Sequence, residues 1–343
     1  MTLGRIAGVL LFLPSLNAQT FSRTVRECAA CHPAQAKPQP ATSMAHALEL
    51  PSECTILKAH SLLTFKDGKY SYKIERNGDQ SIYSVTDGEQ TTSVPISWAL
   101  GLGSAGQTYV FQKDGRMYQS RVSYFSKIDG LDFTLGALNA RPSTLLQAAG
   151  ELMDRDEKVL CFGCHSTNAV FHKELNLDTL IPGIQCERCH GPTENHTAGI
   201  KQGNAVLAQM KDLRKLTSED TSNFCGQCHR TWDQIATSGI QGIGDVRFQP
   251  YRLTNSKCYD SDDSRIRCTA CHDPHQEVDK RTVDYDPKCQ ACHAGGKPAA
   301  KVCKVATSNC ASCHMPKLEL PGSHHLFTDH QIRIVRANEP YPN

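Results

Sequence analysis

One pattern, Cys-x-x-Cys-His, occurs seven times in this chain of 343 residues and constrains its fold more than any other feature. The chain's own composition predicts about 0.04 copies by chance, because Cys and His are scarce residues. The pattern accounts for most of the 17 cysteines. The seven copies are Cys28-Cys31-His32, Cys161-Cys164-His165, Cys186-Cys189-His190, Cys225-Cys228-His229, Cys268-Cys271-His272, Cys289-Cys292-His293 and Cys310-Cys313-His314.

This pattern is the attachment sequence of c-type haem. Two thiols three residues apart lie on one side of a helical turn, where they can form thioether bonds to the vinyl groups, and the adjoining imidazole can bind the iron. Zinc is the competing interpretation, because Cys and His also build structural zinc sites. Zinc needs four ligands per site and does not explain a His after every Cys pair. We therefore predict seven covalently attached haem c groups.

The second axial ligand of each iron decides the chemistry, because two strong ligands make an electron carrier and an open position permits substrate binding. Eight of the 15 histidines lie outside the motifs. His275 follows His272 too closely to reach the far side of the same iron, so we expect His275, and similarly His196, to ligate a neighbouring haem. The predicted distal ligands are His46, His172, His196, His275, His325 and His330, with His60 and His324 as alternatives.

Three cysteines, Cys54, Cys258 and Cys303, lie outside the motifs. They allow at most one disulfide, for which Cys258 and Cys303 are the best candidates. Three buried free thiols are the alternative.

The N-terminus has the pattern of an export signal. Residues 1–18 carry Arg5 and then an apolar run from Ile6 to Leu16. This pattern is typical of a secretory signal peptide cleaved near Ala18, and the run is short for a membrane span. An uncleaved N-terminal anchor is the alternative. We therefore expect an exported protein, either periplasmic or on the cell surface.

Composition excludes other classes of protein. The 37 Lys and Arg nearly balance the 35 Asp and Glu, and no basic run is present, so nucleic acid is not an expected partner. A hydrophobic fraction of 39% with a net charge of +2 argues against disorder. The expected partners are redox proteins, either quinol-linked or other cytochromes, and a membrane-associated partner stays open.

The segment between His60 and Cys161 contains no Cys and no His, so it offers none of the usual haem ligands. It is punctuated by turn signals at Asp67-Gly68, Asn77-Gly78, Asp87-Gly88 and Asp114-Gly115. Between turns, apolar and polar residues alternate: Tyr70, Tyr72 and Ile74 against Lys69, Ser71, Lys73 and Glu75. These features predict antiparallel hairpins in a small β-rich insert over 61–136. The insert would cover the haem domain or dock a partner.

Two helices are predicted outside the motifs. Ser143 can cap a helix whose apolar positions are Leu145, Leu146, Ala149, Leu152 and Met153. A second helix is predicted through Ala205, Leu207, Met210 and Leu213, after which Thr217 or Ser218 can cap the turn that leads to Cys225.

Six motifs crowd between Cys161 and His314, which leaves little room for a side-chain core, so haem must supply most of it. The predicted fold class is a multihaem cytochrome, mostly α-helix and loop wrapped around stacked haems, with a small antiparallel β-rich insert (α+β overall). The predicted divisions are a signal peptide at 1–18, a segment for the first haem at 19–60, the haem-free insert at 61–136, a six-haem domain at 137–330 and a C-terminal tail at 331–343.

Longer stretches around the motifs resemble multihaem c-type cytochromes of the cytochrome c-552/4 kind, which are related to the tetrahaem electron acceptor of hydroxylamine oxidoreductase. The matching residues are Gly183-Ile184-Gln185-Cys186-Glu187-Arg188-Cys189-His190-Gly191-Pro192 with His196, and the doubled motif from Cys268 to His275 with Cys289 to His293. The stretch from His325 to His330 resembles the closing segment of related exported multihaem proteins. The resemblance implies electron transfer through closely stacked haems with His196 and His275 as distal ligands. The count of seven departs from the four or eight haems of those relatives.

The leading hypothesis is an electron carrier rather than a catalyst. One alternative is a multihaem oxidoreductase that acts on nitrite or hydroxylamine at one five-coordinate haem. The sequence contains no Cys-x-x-Cys-Lys motif of the nitrite reductase type, and no tyrosine stands out as the cross-linking residue of hydroxylamine oxidoreductase. Another alternative is a subunit of an extracellular haem wire.

Overall fold

The structure is a computed structural model that describes residues 26–294, 302–336 and 338–342. The predicted signal peptide at 1–18 lies outside the described residues. The strands are β1 (Leu48–Glu49), β2 (Leu62–Asp67), β3 (Tyr70–Asn77), β4 (Gln80–Thr86), β5 (Thr91–Leu100), β6 (Gln107–Lys113), β7 (Arg116–Phe125), β8 (Gly130–Phe133), β9 (Gly150–Leu152), β10 (Ser166–Thr167), β11 (Val170–Phe171), β12 (Glu174–Leu175), β13 (Ile181–Pro182), β14 (Lys317–Glu319) and β15 (Leu326–Thr328).

Most helices are short, and most follow the sheet in the chain. The α-helices are α1 (Pro33–Ala36), α2 (Thr55–Ala59), α3 (Leu145–Ala149), α4 (Arg155–His165), α5 (Cys186–His190), α6 (Glu194–Gln202), α7 (Ser218–His229), α8 (Trp232–Ala236), α9 (Gln249–Thr254), α10 (Cys268–Cys271), α11 (Asp286–His293) and α12 (Cys310–His314). Single 3-10 turns lie at Gln39–Ala41, Leu177–Thr179, Leu213–Lys215, Gly242–Arg247 and Thr282–Tyr285.

Nine strands form one antiparallel sheet in which β2 to β8 are neighbours in chain order, while β1 pairs with β5 and β9 pairs with β7. The predicted hairpins are confirmed at β2–β3, β3–β4, β4–β5 and β6–β7. Gly78 and Gly115 have φ of 59° and 71° in two of these turns, a region that favours glycine. The turn residues therefore set the register of the sheet.

The sheet encloses a side-chain core of its own. Tyr70, Tyr72 and Ile74 point inward from β3, as the alternation predicts. The sheet curls so that its two ends approach each other. The ring of Phe65 on β2 lies 5.2 Å from that of Phe133 on β8. The result is nearly barrel-shaped.

The predicted fold class is therefore wrong in its proportions. Helix accounts for 33% and strand for 23%, and the sheet is large rather than a small insert on a mostly helical protein. β1 and β9 lie outside 61–136, and each is too short to show a period of two. They become strands only through long-range pairing, such as that of Leu48 with Leu100.

The predictions of helices outside the motifs are only partly correct. α3 ends at Ala149, and its N-cap is Thr144 rather than Ser143. The chain then becomes extended because Gly150 pairs with Ser120 across β9 and β7. No α-helix forms over 205–213, where the chain makes turns at 205–208 and a 3-10 turn begins at Leu213. Thr217 does cap α7 as predicted, accepting a hydrogen bond from the backbone of Asp220.

The three cysteines outside the motifs are free thiols, so the predicted disulfide between Cys258 and Cys303 is not formed. Of the three, only Cys54 is buried, and its Sγ donates to Gln107 Oε1 at 3.3 Å. Among the described residues, no helix combines the length and apolar character needed to cross a membrane.

Apolar burial is concentrated in the sheet and thins out along the motif-bearing part of the chain. Among the described residues beyond Ile184, the buried apolar side chains are Ile235, Val246, Phe248, Pro250 and Ala311. So few buried side chains cannot offset the conformational entropy of ordering more than a hundred residues, at about 1–2 kcal/mol of backbone entropy each. This part of the chain needs an additional core.

We predict that the full chain prepared without haem keeps only the sheet folded. Hydrogen exchange should find β3 to β7 protected, with protection about 100-fold lower in α7, α10, α11 and α12 than in the haem-loaded chain. The loaded chain, which should protect both regions, is the control. Equal protection of these helices with and without haem would contradict the prediction.

Candidate functional site

Each Cys-x-x-Cys-His motif lies on a helical turn, as the sequence predicts. Six of them fall in α4, α5, α7, α10, α11 and α12 or directly at the end of the helix. In the first motif, the His32 amide donates to the Cys28 carbonyl at 2.7 Å and closes the same kind of turn. The two sulfurs and the imidazole of a motif therefore start from one compact piece of backbone.

Three motif histidines face a histidine from elsewhere in the chain. The ring centroids of His32 and His196 are 6.4 Å apart, those of His190 and His275 6.1 Å, and those of His272 and His330 6.3 Å. When two imidazoles bind one metal from opposite sides, their ring centroids lie about 6 Å apart, because each metal–nitrogen bond is about 2 Å and each ring nitrogen lies about 1 Å from its ring centre. The spacing of all three pairs fits an iron between the rings.

Each pair contains one histidine from outside the motifs, which we call the outer histidine. A hydrogen bond at its Nδ1 orients this ring and leaves Nε2 as the nitrogen for a metal. The acceptors are the Ala208 carbonyl for His196 at 2.5 Å, the Asp273 carboxylate for His275 at 2.9 Å and the Thr328 carbonyl for His330 at 2.9 Å. A donor at Nδ1 fixes both the tautomer and the plane of the ring.

Motif histidines are oriented in the same way. His165 Nδ1 lies 2.8 Å from the carbonyl of Ala47, and His314 Nδ1 lies 2.8 Å from the carbonyl of Arg333. The side chain of Gln249 lies close to His229. These partners come from distant parts of the chain, so sequence patterns around the motifs could not reveal them.

Desolvation favours the neutral form of five of these imidazoles, which is the form that binds a metal. It lowers the pKa of His330 to about 4. Burial also lowers the pKa of His165, His190, His229 and His272.

The other three predicted distal ligands are placed differently. Both ring nitrogens of His46 are engaged, Nδ1 with Glu49 at 3.0 Å and Nε2 with the Pro40 carbonyl at 2.9 Å. His172 is exposed in the turn between β11 and β12, with φ of 49°. The ring of His325 lies 4.7 Å from that of Phe327.

The two alternative ligands are also engaged with the sheet. His60 contacts Asp129 through Nε2 at 3.0 Å and the Ile56 carbonyl through Nδ1. His324 Nε2 lies 2.7 Å from the Asp132 carboxylate. In the described ranges, no ring contact with another histidine is seen at His165, His229 or His314.

Attachment cysteines of different motifs lie close enough for their thiols to interact electrostatically. These pairs are Cys28 with Cys186, Cys164 with Cys228, Cys225 with Cys268, and Cys289 with Cys310. Cys228 also lies near Cys189 and 3.9 Å from Arg188 Nη2, and Cys271 lies near Cys289. In a loaded protein these sulfurs are thioethers, so neighbouring sulfurs are neighbouring attachment points.

A cavity of about 400 Å³ opens beside Cys228 and His229. Ile235, Ile240 and Phe248 give it an apolar wall, while Arg230 and Arg247 supply positive charge. Arg247 Nε is buried without a hydrogen-bond partner, so it can still bind an anionic group. An apolar wall with adjacent arginines suits a porphyrin and its propionates, so these residues fit haem. Nowhere in the described chain do three His, Cys, Asp or Glu side chains converge as ligands of a bare ion.

Comparison with known proteins points to the same cofactor. The family model for cytochrome c554 and c-prime matches residues 137–191. The multiheme cytochrome MtrA of Shewanella baltica (strain OS185) is 24% identical over 167 residues, which are 46% of this chain and 41% of MtrA. This chain is a multihaem c-type cytochrome. The alignment spans less than half the length of that curated relative.

The fold of this multihaem cytochrome also has a solved counterpart. The crystal structure of the outer cell wall cytochrome OcwA matches with a TM-score of 0.50, covering 90% of this chain and 79% of that chain at 15% identity. The likeness concerns the fold alone.

One acidic residue that sequence reasoning missed links two motifs of the cytochrome. The Asp286 side chain is buried at the start of α11 and accepts from the Cys310 amide at 2.8 Å and the Asn309 amide at 2.5 Å. It thereby satisfies free amides at the start of α12. The only local signal of this role is a carboxylate in an Asp-Pro pair, three residues before a motif.

Gly183 offers a test of the approach to Cys186. It has φ of 69°, and a Cβ there would collide with the Ala45 carbonyl, whereas a Cβ at Gly78, with φ of 59°, would meet open space. Left-handed strain costs about 1–2 kcal/mol at either position. We predict that Gly183→Ala lowers the yield of fully haem-loaded protein several-fold, by pyridine haemochrome assay, while Gly78→Ala keeps most of it. Equal yields would contradict the role assigned to this contact.

Asp286 makes the stability of the folded protein depend on pH. Its backbone hydrogen bonds from Cys310 and Asn309 hold its pKa below the usual 3.8. A lowered folded pKa contributes stability that is present above pH 3.8 and is lost as the pH falls through the folded value. We predict that Asp286→Asn lowers the guanidinium midpoint at pH 7 and shrinks its drop between pH 5 and 2. The exposed control Asp79→Asn should change neither, and an unchanged Asp286→Asn profile would contradict the assignment.

Proposed function

We propose that this cytochrome carries seven covalently attached haems and transfers electrons along them between respiratory partners. Haem iron supplies the one-electron redox couple. The chain's own residues attach the groups at seven motifs, ligate them through histidines and keep the motifs adjacent. The observation that carries the proposal is the spacing of about 6 Å between three motif histidines and their facing histidines.

The proximity of attachment cysteines supports an order of motifs. Cys28 lies near the Cys186 motif, whose Cys189 lies near Cys228. The order then continues from Cys225 to Cys268, and from Cys271 to Cys289 and on to Cys310. The Cys161 motif joins at Cys228 through Cys164. We propose this branched order, with the Cys225 motif as its junction, as the path of electrons.

Export is part of the proposal. The structural counterpart OcwA is an outer cell wall cytochrome, and we propose a periplasmic or cell-surface setting for this chain with cleavage near Ala18. The mass of the purified protein tests both this and the haem count. It should equal the chain after Ala18 plus seven haems. Fewer attached groups than motifs would contradict the count.

A second candidate function is catalysis at an open iron. It is favoured by His165, His229 and His314, against which no facing histidine ring is seen in the described ranges. Here a small ligand such as nitrite or hydroxylamine would bind where no side chain does. Spectra of the holoprotein with and without these molecules separate the two functions, because only an open iron changes its spectrum.

Carbon monoxide titration of the reduced protein tests the ligand pairs, because CO binds only where an axial position is open. We predict that His196→Gly, His275→Gly and His330→Gly each raise the CO capacity by one haem per chain and that added imidazole reverses the gain. His324→Gly, which removes a histidine held by Asp132, is the matched control and should leave the capacity unchanged. A variant with unchanged capacity would remove that histidine from the ligand set.

A further inference from the structure

A buried cluster of charged residues lies next to His330. The side chains of Arg252 and Asp329 are fully buried, and they form two parallel hydrogen bonds, Nε to Oδ1 at 2.9 Å and Nη2 to Oδ2 at 3.1 Å. Arg333 Nη1 donates to the same carboxylate at 2.5 Å. Burying charges is costly, and an apolar replacement of similar volume is often at least as stable. Stability alone therefore gives little reason for this cluster.

The cluster holds a short segment, Asp329 to Arg333, at several backbone points. The Asp329 amide donates to the Pro316 carbonyl at 2.9 Å. Ser256 Oγ donates to the His330 carbonyl at 3.1 Å and accepts from the Ile332 amide at 2.8 Å. The segment is thus held between α9, which carries Arg252, and the loop that follows α12.

Two histidines in the cofactor sites depend on the position of this segment. The ring of His330 lies 6.3 Å from His272, and the Arg333 carbonyl accepts the Nδ1 hydrogen of His314 at 2.8 Å. The Arg333 amide in turn donates to the His314 carbonyl at 3.2 Å. A shift of the segment would move a ligand at one site and the orienting acceptor at another.

We propose that Arg252, Asp329 and Arg333 are positioning residues that hold His330 opposite His272 and orient His314, so that one buried ion cluster sets the axial ligation of two haem sites. The inference rests on the proposed ligation by His330. Arg252 suits the role because its planar fork fixes the direction of the Asp329 carboxylate, which a lysine cannot do. The neighbouring Gln331 strengthens the cluster, since its Oε1 accepts from Arg252 Nη2 at 2.6 Å.

The test uses the holoprotein and two conservative variants, Arg252→Lys and Asp329→Asn. Each should let His330 dissociate, so that up to one additional haem per chain binds CO and becomes high-spin in the ferric electron paramagnetic resonance spectrum. Arg252→Lys keeps the charge and loses the fork, so we expect a partial gain. Arg265→Lys is the matched control, because Arg265 forms an exposed fork with Asp263 near the Cys268 motif and should change nothing.

His330→Gly separates failure of this inference from failure of the proposed ligation. If His330→Gly opens no haem, the ligation is wrong. If it opens one and the two cluster variants bind no additional CO, the cluster is merely structural and the inference is overturned. Should Asp329→Asn yield no haem-loaded protein, the milder Arg252→Lys decides by the same measurement.

Discussion

The scarcity of buried apolar side chains beyond Ile184 is the constraint on which the rest of this structure depends. The sheet has a conventional core, in which aromatic rings such as Phe111 and Tyr118 stack 5.3 Å apart. The motif-bearing helices have little of this kind. Their backbone is held instead by caps and by carbonyls that accept from histidines. Covalently attached macrocycles provide the apolar bulk that such a segment lacks, so cofactor attachment and folding are one process.

Facing histidines explain how distant pieces of chain are brought together. His32 faces His196, and His272 faces His330, so each such site would be closed by residues far apart in the sequence. Each outer ring is already oriented by a hydrogen bond at Nδ1. A preoriented ligand loses little side-chain entropy when it binds the metal. It also resists movement when the charge of the metal changes, which suits repeated one-electron transfer.

Local sequence patterns predicted the structure correctly where interactions between neighbouring residues determine it. The hairpin turns of the sheet and the Thr217 cap follow from a few adjacent residues. The predicted helix does not continue to Met153, because Gly150 pairs with Ser120 in the sheet. This long-range interaction overrides the helical spacing of the apolar residues. The full size of the sheet was missed for the same reason. Among the histidines, a count of candidates could not show that both ring nitrogens of His46 are engaged by the protein.

The connections around α9 show what no local pattern could indicate. This short helix carries Gln249, which lies close to His229, and Arg252, which binds Asp329 beside His330. The segment that begins at Asp329 ends at Arg333, whose carbonyl orients His314. Two motif histidines, His229 and His314, and the non-motif His330 are therefore connected to this one helix. Because a buried forked ion pair permits little angular freedom, it restricts the movement of His330 and of the carbonyl that orients His314.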